Sequence, residues 1–185
     1  MSIFRRVSWT VSTLSIAALS VLALAISSGA ASAPKLDKFQ AIASGTLNLN
    51  STYSDCGLTC STGDLCYCFQ FAGPISGNLI GTSTLTMNTS QDANTTIASG
   101  THGVRCSSGS GVGTITAKSG DTLSFDFYGQ FCTDAQVARL FNGVYRVNGG
   151  TGKFSSTFGG GSLDYGEITP GGSNTPVTLT GALAK

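Results

Sequence analysis

Residues 141–163 constrain the fold of this chain more than any other stretch. Phe141-Asn142-Gly143-Val144-Tyr145-Arg146-Val147 is rich in β-favouring residues, and Asn148-Gly149-Gly150 stops the run. A second run begins at Lys153. Asn-Gly and Gly-Gly accept the positive φ that a tight hairpin turn demands and that a β-carbon resists. The stretch predicts a hairpin whose turn is set by glycines. That signal specifies shape and names no chemistry.

The rest of the chain repeats the theme. After a polar lead-in at 35–40, Ala41, Ala43, Leu47 and Leu49 alternate with Ile42, Ser44, Thr46 and Asn48, with a phase slip at Gly45 that predicts a bulge. Residues 51–64 read as a polar loop. Residues 65–71 are aromatic-rich and predict a short strand, with Tyr67, Phe69 and Phe71 in one period-2 stripe and Gly73-Pro74 ending it. A strand over 75–88 follows, then a polar turn at 89–93, and β-favouring residues resume over 94–99. The run 104–107 is broken by 108–111, and 112–117 forms another strand. Gly120-Asp121 is a turn. Residues 123–132 place Leu123, Phe125 and Phe127 on one face and Ser124, Asp126 and Tyr128 on the other. Residues 177–183 close the chain.

One stretch has helical features. Thr133-Asp134-Ala135-Gln136 has capping-box spacing, and Val137, Leu140 and Phe141 fall at i, i+3 and i+4. One or two helical turns there compete with a polar loop. With about eight short strands and no crossover helices, the class is antiparallel all-β, a barrel or a sandwich. Glycines inside strands permit the coiling that closes a small barrel. Closure also removes exposed edges.

The N-terminus reads as an export signal covering residues 1–33. Arg5-Arg6 is a positive n-region, residues 11–26 are uncharged and apolar, and Ala31-Ser32-Ala33 is a cleavage site. The apolar run is shorter than the roughly 20 residues of a spanning helix. Cleavage leaves a single domain, 34–185, with no membrane span and a secreted, periplasmic or cell-surface location. Losing both arginines leaves eight basic residues against nine acidic ones, with no basic cluster, which excludes a nucleic-acid surface.

All six cysteines lie after the signal: Cys56, Cys60, Cys66, Cys68, Cys106 and Cys132. An even count in an oxidising compartment reads as three disulfides. Cys66 and Cys68, at i and i+2 of a strand, stand about 7 Å apart and are poor partners for each other. They are expected to pair with Cys56 and Cys60, in either combination, which leaves Cys106 with Cys132. The C-x3-C-x5-C-x-C spacing matches zinc sites poorly, so no metal is expected.

Gly143-Val144-Tyr145-Arg146-Val147-Asn148-Gly149-Gly150-Thr151-Gly152-Lys153-Phe154, continuing to Leu163, resembles the G-x-Y-x-V-x-G-G-T-G-R-F-x-G-A-x-G-x-G-x-L stretch of bacterial secreted β-barrel proteins. Those are similar to the allene oxide cyclase and dirigent barrels of plants. The likeness covers about 21 residues. Lys153 stands in place of the usual Arg, Ser156-Thr157 in place of Gly-Ala, and the cysteine cluster before residue 70 has no counterpart. The resemblance implies an eight-stranded, antiparallel, calycin-like barrel whose interior holds a small apolar molecule. The shared residues are shape residues, so no catalytic residue carries over.

The remaining constellations favour binding over catalysis. His102 is the single histidine and sits in a Ser-Gly-Thr-His-Gly turn, and no nucleophile elbow is present. Asp126 and Arg146 read as outer-face charges. Asn50, Asn88 and Asn94 open N-x-Ser/Thr sequons, read here as polar turns. The aromatics Tyr67, Phe69, Phe71, Phe125, Phe127 and Tyr145 are the candidates for lining a cavity. The leading expectation is non-catalytic binding of a small hydrophobic ligand without a cofactor. The alternatives are an isomerase or cyclase of the allene oxide cyclase type, and an envelope or matrix interaction protein.

Overall fold

A computed structural model of the protein describes residues 34–50, 66–99, 104–133, 139–168 and 174–185. Residues 1–33, expected to be an export signal, the expected loop at 51–64 and His102 lie outside the described residues. Eight strands run in order around one sheet: β1 (Asp37–Asn50), β2 (Cys66–Gly77), β3 (Gly81–Ser99), β4 (Val104–Ala117), β5 (Thr122–Thr133), β6 (Arg139–Gly150), β7 (Phe158–Ile168) and β8 (Thr175–Ala184). Each pairs antiparallel with its neighbours, and β1 pairs with β8, so the barrel is closed. Closure leaves no sheet edge, which a Thr- and Val-rich sheet would otherwise present to other chains.

Period-2 alternation sorts side chains into lumen and solvent. Phe39, Ala41, Ala43 and Leu47 of β1 are buried while Ile42, Ser44 and Thr46 are exposed. The alternation passes through Gly45 without a slip, and the β1–β2 and β1–β8 registers hold on both sides of it. No bulge forms there. A Cβ on Gly45 would lie 2.3 Å from the Ala72 carbonyl oxygen, so glycine is needed for close approach. The lead-in at 35–40 is likewise partly strand, because Phe39 supplies core.

Three expected breaks are strand interior. β2 runs through Gly73-Pro74 to Gly77. Cα pairing with β1 is interrupted between Ala43↔Ile75 and Thr46↔Ala72, where Pro74 has no N–H to give, while β3 stays paired. β3 runs through 89–93, because Thr89 and Gln91 turn inward, and the sequon at Asn88 is therefore strand. The ladder with β4 shifts register between Asp92 and Ile97 without ending the strand. β4 runs through 108–111 because its glycines serve the core. Phe125 stands directly opposite Gly113, and Phe127 opposite Gly111. A Cβ on Gly113 would sit 2.2 Å from the Phe125 ring, and one on Gly111 2.3 Å from the Phe127 ring. The β5 aromatics thus lie across the space that β4 leaves bare.

Residues 139–141 belong to β6, so no helix extends over Leu140 and Phe141. Residues 134–138 lie outside the described residues. The predicted tight turn at Asn148-Gly149-Gly150 is also replaced. β6 continues to Gly150, a 3-10 turn forms over Gly152–Phe154, and β7 starts at Phe158. The positive φ falls on Gly152, at 54°. Gly150 is needed for proximity, since its Cβ would meet the Phe154 carbonyl oxygen at 2.6 Å. The longer turn tucks Phe154 into the core, under the Lys153 ammonium 4.8 Å from the ring centre.

This end of the barrel is shut by short, bonded turns. Asn78 donates to the Lys38 carbonyl at 2.6 Å and accepts from the Gln40 N–H at 3.1 Å. The Thr151 N–H donates to the Thr122 carbonyl at 2.8 Å, and Thr151 Oγ1 accepts from the Thr122 N–H at 2.9 Å. The opposite end carries the other four connections, residues 51–65, 100–103, 134–138 and 169–174.

Candidate functional site at the cysteine-flanked mouth

All six cysteines fall in or beside the connections at that second end, here called the mouth. Cys106 and Cys132 stand opposite each other in register on β4 and β5 and are disulfide-bonded. Cys68 is disulfide-bonded as well, and no described cysteine is free. Cys56, Cys60 and the Cys66 side chain lie outside the described residues.

Five of the six aromatic candidates turn into the lumen. Phe69, Phe71, Phe125, Phe127 and Tyr145 are buried. Tyr67 is in phase with them but lies one residue into β2, at the rim, and is 36 % exposed. Phe39, Phe131, Phe141 and Tyr165 are buried in the same core. Their strands were legible, but which aromatics meet across a barrel depends on shear, which one-dimensional alternation does not contain.

The rings meet across the lumen and fill its waist. Phe125 contacts Tyr145 at 5.7 Å between ring centres, and Tyr145 reaches Phe39 at 6.4 Å. Phe71 of β2 meets Tyr165 of β7 at 6.3 Å, and Tyr165 meets Phe141 at 5.4 Å. The Thr89 hydroxyl lies 2.9 Å from Tyr165 OH, joining strands on opposite sides of the ring. Tyr165 donates in turn to Met87 Sδ at 3.8 Å. The waist is core.

Above the waist, toward the mouth, the inward layer changes character. Phe69 and Phe131 contact each other at 5.3 Å. Beside them Gln91 and Ser107 face inward, both buried, and the Gln91 amide donates to the Ser107 hydroxyl. Gln91 Oε1 has no partner. Thr175, which opens β8, is buried with its hydroxyl unpartnered. A buried polar atom without a hydrogen bond costs about 1–3 kcal/mol. Among the described residues the other such atoms are Tyr145 OH in the waist and Thr157 Oγ1 at the closed end, so only the mouth layer has two. Sequence reading passed over Gln91 and Thr175, because inward polar residues look like turn residues when the strand is not known to continue.

Among the described residues no charged side chain is buried in the lumen. Burial pushes the Tyr145 and Tyr165 phenols well above their ordinary range, and the Thr89 hydrogen bond only partly opposes this at Tyr165. Asp126 and Arg146 stand opposite each other and face outward, and Asp126 accepts from Asn148 at 2.7 Å. Among the described residues no group of three or more His, Cys, Asp or Glu is placed to hold a metal. A shallow groove on the outer wall, between Ile42, Pro74 and Thr82, lies over the interrupted β1–β2 pairing and is open to solvent. Comparison with protein-family models, with curated proteins and with solved structures finds no match.

Proposed function

We propose that this protein binds a small, largely apolar molecule at the mouth of its barrel and performs no chemistry on it. One observation carries the reading: the Gln91 amide is buried, faces inward and leaves one atom unpartnered above an aromatic floor. Ligand sites combine apolar walls with a few placed polar groups, and this layer has both. Rings packed across the waist weigh against a cyclase, which needs a deep chamber to fold its substrate. The family likeness of residues 143–163 and the N-terminal signal support the same reading, as an exported relative of the allene oxide cyclase-like barrels.

Native mass spectrometry of protein taken from its host tests this. The expected result is a co-purified small molecule released by mild activation, on a chain beginning at Pro34. Bare protein that also takes up nothing from a library of apolar compounds would overturn the binding reading.

A further inference from the structure

Resting on that reading, we propose that the mouth selects an uncharged aromatic molecule bearing a hydroxyl, and that the hydroxyl bonds the free end of the Gln91 amide. Gln91 is 7 % exposed and Thr175 2 % exposed, so neither unpartnered atom is served by bulk water. The amide bonds the Ser107 hydroxyl through one end and leaves the other free. A ligand hydroxyl both donates and accepts, so it satisfies that free end whichever way round the amide lies. Phe69 and Phe131, packed on each other at 5.3 Å beside it, make that wall aromatic, which favours an aromatic body.

Charge sets the second condition. No described side chain in the buried layer is ionised. Arg105 and Glu167 are in phase with the inward positions of β4 and β7 but stand at the rim and are exposed. These two described rim side chains carry one charge of each sign. An ionised carboxylate or ammonium taken down to Gln91 would lose its hydration with no counter-charge among the described side chains of that layer. The packed waist sets the third condition, because it limits depth and so favours a compact body over a long chain.

Three matched probes test this at pH 7 by calorimetry and ligand-observed NMR: 4-propylphenol, propylbenzene and 4-propylbenzoate. The phenol is expected to bind about tenfold tighter than propylbenzene, with the benzoate weakest. In Gln91→Leu the preference for phenol over propylbenzene is expected to fall to within about twofold. The wild-type ranking carries the test even if that variant folds poorly. Equal binding of phenol and propylbenzene, or tightest binding of the benzoate, would overturn the ligand class while leaving a binding barrel. Binding of none of the three would overturn both.

Discussion

Tyr145 and Tyr165 are both buried phenols in one lumen, yet their hydroxyls have opposite surroundings. Tyr145 OH has no partner, whereas Tyr165 OH bonds Thr89 at 2.9 Å and Met87 Sδ at 3.8 Å. Removing an unpartnered hydroxyl relieves a cost, while removing a bonded one strands its partner. Tyr145→Phe is therefore expected to leave stability unchanged or raise it by about 1 kcal/mol, and Tyr165→Phe to lower it by about 1–2 kcal/mol, in urea unfolding. Both phenols also set an alkaline limit. Free tyrosine ionises near pH 10, and burial raises both folded values above that. Above pH 10 the unfolded chain gives up protons that the folded one keeps, so stability falls as pH rises. Melting temperature should drop above about pH 10, and less steeply in the double Phe variant.

Strand β4 shows how far an element was legible. Val112 to Ala117 was readable from its β-branched residues, and Ser108 to Gly111 looked like a break because Gly and Ser favour turns. The structure runs straight through, since each inward glycine there has a ring of β5 or β6 in place of its own side chain. The same reason hid the continuation of β3, whose inward Thr89 and Gln91 look like turn residues until their partners are known, Tyr165 across the lumen and Ser107 on the neighbouring β4. The glycine hairpin was legible as a reversal between β6 and β7. Its residue-level geometry was not, because Gly150 is fixed by the Phe154 carbonyl of the 3-10 turn and by the Thr122 carbonyl of β5, a tertiary contact. Gly113→Ala forces a Cβ to within 2.2 Å of the Phe125 ring, whereas a Cβ on Gly149 meets nothing within 4 Å. Chemical denaturation should show Gly113→Ala losing about 1–3 kcal/mol and Gly149→Ala losing under about 0.5.

At the scale of the whole barrel the two ends differ. One is closed by short bonded turns and the Phe154 plug. The other carries the remaining four connections, the cysteines and the polar layer of Gln91, Ser107 and Thr175. Cys106–Cys132 ties β4 to β5 at that second end across 26 residues of chain. Replacing both by Ser should cost about 3 kcal/mol if the constraint acts through chain entropy, with the two-state transition retained. About eight antiparallel strands were legible from turn spacing, which left barrel and sandwich open; β1–β8 pairing closes the barrel. The polarity of the two ends was not legible, since it depends on which inward residues share a height. The central claim is that the mouth layer receives a ligand above a waist that is core. Intermolecular NOEs from bound 4-propylphenol test it directly. The account predicts contacts to Phe69, Phe131 and the Gln91 side-chain amide, and none to Phe125, Tyr145 or Phe39. Contacts to Phe125 and Tyr145 would contradict it, because they would place the ligand inside the waist.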